Sequence, residues 1–490
     1  MLTLDYVKYC IDTDPISLIP SKCNDYIGKF ICGAMYQQLF QKNIKGEWIL
    51  GSDVERLEIL NNGLKYIFHL NKEAKWSDGN SLNARNYLQT FYNAVLGNEE
   101  NFIVEYLNCI VNFEKVRNNI LPINELGVKV IDDYILEIEL EYSVSYIRPL
   151  LGSIYLSPTP IHLDKDSIYR NYNRITNGSY YLKEYLKGKY VLLLPNKYRG
   201  NTYNPLLFLI ESDLEKSIRL YENNYVDITC DTYFPFENIK KYFKKNSFNM
   251  IDSSIIFLLK FNYKNKKEFY DKSIRKALFY SIDKEKISNI LYKGITPWNN
   301  FVPKCFMIND ITRKSLSFSI NKAKEYYKRA KSNFNNISLK MIYANFYPNK
   351  EIALNIQYYW KSVLNIDLLL EGLSFEEYLY KVENNEFDIC LSLLSPTFPS
   401  SICFYMNYLN FITEEYEEIY IENLEKFIEY GHVGCSVQEN LENILYNELP
   451  VLPLFNGKSI YLQRETISGY KLFEDGTTYF KNIKKDRNNI

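Results

Sequence analysis

Residues 64–95 read "LKYIFHLNKEAKWSDGNSLNARNYLQTFYNAV". The stretch opens as a strand-like run and closes as a helix in which Ala84, Tyr87, Leu88, Phe91, Tyr92 and Val95 keep the helical period. Between them "WSDGNSLNA" (76–84) joins an aromatic, a hydroxyl, a carboxylate and a glycine, a set found in catalytic loops as well as in turns. The local chemistry reads as a turn: Ser77 and Asp78 are suited to bond nearby backbone amides, and Gly79 allows a positive φ. Asn83 is the expected N-cap of the helix, with Asn86 three residues on as its capping-box partner. Trp76 is expected to pack the turn onto its subdomain.

Working outward, the 490 residues are roughly two to three times a usual domain, so two or three lobes are expected. At 46% hydrophobic the chain has material for sizeable cores. Its 58 basic and 59 acidic residues leave a net charge of −1, which gives no general drive toward nucleic acid or an anionic membrane. The 45 tyrosines would suit a groove for sugars or peptides, but a coding bias shared with Lys, Asn and Ile explains most of them. No apolar run reaches membrane-spanning length; "SIIFLLKF" (254–261) is strand-sized. Asp5, Asp12 and Asp14 interrupt the amino-terminal stretch, which shows no secretory leader. The expected location is therefore cytoplasmic as the sequence stands, or extracytoplasmic if a leader precedes it. Nine cysteines form no CxxC pair, so neither a zinc ribbon nor a redox motif is indicated.

The organisation is an alternation of strands and helices. A helix is expected at 28–40, and hairpins at 46–75, turning at Asn62-Gly63, and at 127–140, turning at Asp132-Asp133. Residues 178–200 read as strand, Lys187-Gly188 turn and strand, and 206–211 and 226–229 as short strands around an amphipathic helix. The region 271–292 reads as two helices, the second capped by Asp283. Helix 320–331, strand 337–344, helix 350–363, strand 366–371, helix 374–384 and strand 387–393 then alternate as in a three-layer α/β lobe. Further helices near 412–429 and 436–446 precede a strand at 449–463.

Four stretches, in order and at matching spacing, resemble the extracellular solute-binding proteins of family 5, the group of oligopeptide-, dipeptide- and nickel-binding proteins of ABC importers. They are residues 64–95, "TNGSYYLKEYLKGKYVLLLPNKYRG" (176–200), "FNYKNKKEFYDKSIRKALFYSIDKEKI" (261–287) and "NELPVLPLFNGKSIYL" (447–462). The resemblance implies an α/β fold of the periplasmic-binding-protein type II kind: two lobes joined by two crossing strands, with an inserted subdomain in the first lobe. It places lobe I in 1–45, 150–255 and 459–490, the inserted subdomain in 46–149 and lobe II in 265–450. Two apolar crossings, at 256–264 and 451–458, would form a stiff hinge. The family usually has an acid where Asn86 stands, which makes Asn86 the weaker cap partner.

Catalysis finds little support. His69, His162 and His432 have no metal-ligand spacing around them, and no phosphate loop, HExxH or GxSxG is present. The chain is expected not to be an enzyme and to need no cofactor or metal. By resemblance the ligand cleft is lined by "SKCNDYI" (21–27) and "CLSLLSPTFPSS" (390–401), which makes Asn24, Asp25, Tyr26, Ser392, Ser395, Thr397 and Phe398 candidate ligand-binding residues. Trp298 joins them from a segment that the family places near the cleft, although a packed loop anchor is an equal reading of it. Peptide-binding relatives hold the ligand's free amine with an aspartate at the position of Pro396. Here no carboxylate lies between Cys390 and Glu414. An ammonium enclosed without an anion is costly, so a neutral, N-blocked or sugar-like ligand is expected, with Asp25 as a possible substitute anion.

The expected partners are thus a small-molecule or peptide-like ligand and, if the chain is exported, an ABC permease, with no nucleic acid, no membrane-spanning segment and a monomeric state. The competing reading is an intracellular sensor, or a biosynthetic carrier or enzyme, built on the solute-binding scaffold.

Overall fold

The computed structural model describes residues 5–97, 102–162, 175–200, 204–232, 234–308, 317–330, 338–431 and 435–486. Two long antiparallel strands, Phe248–Phe261 and Val451–Leu462, pass from one lobe into the other. In the second lobe they are the centre of a six-stranded sheet, continued by Ile389–Leu394, Ser338–Ala344 and Asp367–Leu373 on one side and Thr296–Pro297 on the other. Ser338–Ala344 runs parallel to both of its neighbours, so Asn349–Leu364 and Phe375–Glu383 serve as crossover helices.

The first lobe carries a four-stranded sheet in the order Val7–Ile11, Leu206–Ile210, Tyr190–Pro195, Tyr180–Leu186. The expected strand at 226–229 is only a bridge, in which Ile228 pairs with Tyr9 and with Gln463. Thr229 explains the shortness: its N–H donates to the Leu462 carbonyl, and its hydroxyl accepts from the Leu462 N–H, both at 2.9 Å. The inserted subdomain is an antiparallel sheet, Val54–Leu60, Lys65–Leu70, Ile135–Glu139 and Val128–Asp132, with the helix Ala84–Leu96 packed on it. Its first hairpin turns through Asn61, Asn62 and Gly63, all at positive φ.

The opening turn joins this subdomain to the first lobe. The Ser77 N–H donates to the Thr176 carbonyl (2.8 Å), and the Ser77 hydroxyl accepts from the Thr176 N–H (3.1 Å). Trp76 is wholly buried, its ring 6.2 Å from that of His162. The Asn83 N–H donates to Asn86 Oδ1 (2.9 Å), while Asn86 Nδ2 donates to the Thr159 carbonyl (2.9 Å). A carboxylate has no N–H for that second bond, so at this buried position the amide is the better fit and not a weaker cap.

The crossings are less uniform than two apolar strands. A bulge separates Asp252 from Ile256, and the wholly buried Asn456 satisfies it. Its Nδ2 donates to the Ser253 and Gly457 carbonyls (3.1 and 2.8 Å), and its Oδ1 accepts from the Lys304 N–H (2.9 Å). Gly457 packs so close to the bulge that a Cβ there would lie 2.8 Å from Ser253 Oγ.

The helix expected at 28–40 spans Tyr26–Met35. It stops because the neighbouring turn captures its end: the Gly178 N–H takes the Met35 carbonyl (2.8 Å), and Asn177 Oδ1 takes the Gln37 N–H (3.0 Å). A Cβ on Gly178 would come within 2.4 Å of the Met35 backbone. Gly178→Ala is therefore expected to push the two segments apart at a cost of about 1–3 kcal/mol or more. Denaturant unfolding checks this, and an unchanged midpoint would contradict it.

Candidate ligand cleft

A cleft of about 1290 Å³ lies between the lobes. Its floor is the bulged centre of the crossing strands, with Ser253, Ser254, Ile255 and Gly457. The first lobe supplies Asn24, Asp25, Tyr26, Lys29 and Gln37, from the turn and helix around Tyr26–Met35. The second lobe supplies Tyr347, Phe375 and the loop Ser395–Pro399.

Six of the eight expected residues come together here: Asn24, Asp25, Tyr26, Ser395, Thr397 and Phe398. Asn24 is exposed. Asp25 caps the helix, accepting from the Gly28 N–H at 2.7 Å, and burial pushes its carboxyl up from the usual range. Phe398 is buried and packs edge-on against Tyr106 of the inserted subdomain, 4.8 Å between centroids, and against Tyr146 at 5.8 Å. It thereby seats the second-lobe loop on the first lobe. Ser145 adds to this closure, its N–H donating to the Ile428 carbonyl (2.8 Å) and its hydroxyl to the Phe427 carbonyl (3.2 Å).

Trp298 and Ser392 do not line the cleft. The Trp298 indole N–H donates to the Val302 carbonyl (2.8 Å), and its backbone N–H to the Leu454 carbonyl (3.0 Å), so it anchors a loop to the second crossing strand. Ser392 sits inside the sheet opposite Leu258 and is 9% exposed. The alternation of a strand turns it from the cleft while Ser395 and Thr397, beyond the strand's end, reach it.

Other residues of the cleft were not expected from sequence. Asp231 is buried and accepts from the Tyr26 hydroxyl on one oxygen and from the Tyr9 hydroxyl on the other, at 2.9 Å. Burial pushes its carboxyl up to about 6. Because this lies above the unfolded value, the cost of keeping Asp231 ionised is full above about pH 6 and is relieved as the pH falls toward 4. Asp231→Asn does not titrate, so it is expected to lose stability relative to the wild type between pH 7 and 4, by at most about 3 kcal/mol. Denaturant unfolding at several pH values checks this, and a pH-independent difference would contradict it. Lys29 had a usable signal: it is the only charged residue in "YIGKFICGAM". Asp231 had none, since its partner Tyr26 lies 205 residues away.

His69 pairs with Glu58 (2.7 Å) and His162 with Asp78 (2.8 Å), both outside the cleft, and His432 lies outside the described residues. Among the described residues no group of three or more His, Cys, Asp or Glu side chains is placed to hold a metal, and no helix is long and apolar enough to cross a membrane.

Comparison with known proteins bears on the family and the fold. Residues 50–411 match the family model described as bacterial extracellular solute-binding proteins, family 5 middle. The probable deoxycholate-binding periplasmic protein YgiS of Escherichia coli is 24% identical over 95% of this chain and 90% of its own length. The periplasmic oligopeptide-binding protein OppAIV of Borrelia burgdorferi superposes with a TM-score of 0.84 at 21% identity, covering 98% of this chain and all of its own. The Escherichia coli murein tripeptide binding protein MppA is 19% identical in two structures, each covering 99% of this chain. One gives a TM-score of 0.83 over 99% of its chain, and the unliganded open form gives 0.72 over 98%. The chain belongs to the bacterial extracellular solute-binding proteins of family 5, and is a solute-binding protein and not an enzyme.

Proposed function

We propose that the protein encloses a peptide-like or other polar small molecule between its lobes without the usual carboxylate-to-amine contact. The observation that carries this is the loop Ser395–Pro399, which enters the cleft with two hydroxyls, two prolines and a phenyl ring but no acid. Asn24, Asp25 and Tyr26 would face the same ligand from the first lobe. The name of the Escherichia coli relative, whose probable ligand deoxycholate has no amine, supports the reading. The contacts of Phe398 and Ser145 across the lobes, and the lower similarity to an unliganded open form, support a mechanism in which ligand stabilises the closed arrangement. The lobe boundaries 1–45, 150–255 and 459–490, against 265–450, with 46–149 inserted and hinges at 256–264 and 451–458, are proposed with it. The family's extracellular setting supports work outside the cytoplasm, with delivery of the ligand to an ABC permease.

Native mass spectrometry of protein purified from its own cells tests the reading. A co-purifying small molecule without a free amine is expected. A tightly held peptide with a free amino terminus would overturn the reading of the Pro396 loop.

A further inference from the structure

Lys29 is the single charge of the helix Tyr26–Met35, and it lines the cleft. Among the described residues its ammonium makes no hydrogen bond and no ion pair. It lies over the Tyr155 ring, 5.4 Å from the centroid. A ring face attracts the charge but leaves the three N–H groups without a strong acceptor. Of the other lysines that line the cleft, Lys42 pairs with Asp475.

The groups around Lys29 supply a partial counter-charge and, among the described residues, no ion pair. Its electrostatic neighbours are Cys23, Cys403 and Asp25. Burial pushes the Cys403 thiol up to about 11, so it is neutral at pH 7, and the Cys23 thiol donates to the Ser17 and Ile19 carbonyls at 3.1 and 3.2 Å. Asp25 gives one oxygen to the Gly28 N–H at the start of the helix and forms no ion pair with Lys29, so it is only a partial counter-charge. Of the other first-lobe acids on the cleft, Asp231 has both oxygens occupied by tyrosine hydroxyls, and burial raises Asp12. Across the cleft, the Ser395–Pro399 loop has no acid, and the second-lobe acid that lines the cleft is Glu383, at the end of the helix Phe375–Glu383. Burial also lowers the Lys29 pKa, and the nearby Asp25 offsets this only in part. Lys481 repeats the pattern: it lines the cleft with no hydrogen bond or ion pair among the described residues, and burial brings it down to about 8. The Pro396 loop thus lacks an anion that would take an amine, while Lys29 and Lys481 line the cleft without an ion pair among the described residues.

We infer that Lys29 receives a carboxylate of the ligand, so that the protein selects amine-free or N-blocked acids. This rests on the reading that the ligand lies between the lobes. It assigns the recognition charge to the first lobe and gives it the opposite sign to an amine-binding aspartate.

Affinity selection with a defined probe tests it. A pool of N-acetylated tripeptides, randomised at all three positions, is made both with a free carboxyl terminus and with a carboxamide. Each pool is equilibrated with wild type, Lys29→Arg and Lys29→Met, and the retained members are identified by mass spectrometry, with a thermal melt showing that each variant is folded. The wild type is expected to retain acids over amides by about 10- to 100-fold, the range for one charge-assisted hydrogen bond. Lys29→Arg should keep the preference, and Lys29→Met should bring the ratio near one. Equal retention of acids and amides by the wild type, or an acid preference that survives in Lys29→Met, overturns the assignment and leaves a ligand in the cleft. Failure to retain members of either pool overturns the assignment together with the peptide-like reading.

Discussion

Replacing Arg275 with methionine is expected to destabilise the protein by about 3–5 kcal/mol, the scale for removing one partner from a buried charged network. Arg275 is 1% exposed, in the helix Lys272–Tyr280. Its Nε donates to the Glu448 and Leu449 carbonyls at 3.1 and 3.0 Å, and its Nη1 to the Phe269 and Tyr270 carbonyls, the latter at 3.1 Å. Glu448 ends the helix Cys435–Glu448, so one guanidinium satisfies the open end of that helix and the turn before its own. Just beyond, Val451 begins the second crossing strand. Methionine keeps the apolar stem and strands four carbonyls next to the hinge, those of Phe269, Glu448 and Leu449 buried. A thermal melt should fall by roughly 3–5 °C. A change under 2 °C would show that water or the backbone replaces the guanidinium at little cost.

Asp53→Ala is expected to have an effect of similar size, about 3–5 kcal/mol, by the same physics in the other lobe. Asp53 is wholly buried and pairs with Arg199. Its second oxygen accepts from Asn177 Nδ2 (2.8 Å) and from the Tyr87 hydroxyl (3.3 Å). Asn177 also holds the Gln37 backbone from both sides, and Gln37 lines the cleft. Alanine leaves Arg199 enclosed beside Lys481 without its carboxylate. Chemical denaturation should show the full loss, while a variant within 1 kcal/mol of wild type would mean that the network is not cooperative.

Much of this architecture was legible because its signals are local. Asp271 and Asp283 cap the two helices of the region 271–292, accepting from Ser273 and Lys286 N–H groups, and both lie at the start of a periodic run. The turn at Ser77–Gly79 follows from residue types alone: Gly79 has φ +97°. It proved to be architecture, as its bonds to Thr176 show. What was not legible depends on distant partners. Nothing near Asn86 announces that Thr159 needs a donor, so an asparagine suited to its place read as a weak cap. The early end of the helix at Met35 is set by Asn177 and Gly178, some 140 residues later. The candidate site divides in the same way. The loop around Pro396 stood out by lacking an acid, whereas Trp298 and Ser392 were drawn in by proximity in sequence that a sheet's alternation and a loop's anchoring undo.

Hydrogen exchange on the protein with and without its co-purified ligand tests the central claim most directly. The ligand would be removed by unfolding and dialysis, then added back after refolding. The account predicts simultaneous protection of the first-lobe segment 24–37, the second-lobe loop 395–399 and the crossing residues 253–255, because one molecule touches both lobes and the floor between them. Protection confined to a single lobe, or lying wholly outside these segments, would contradict it.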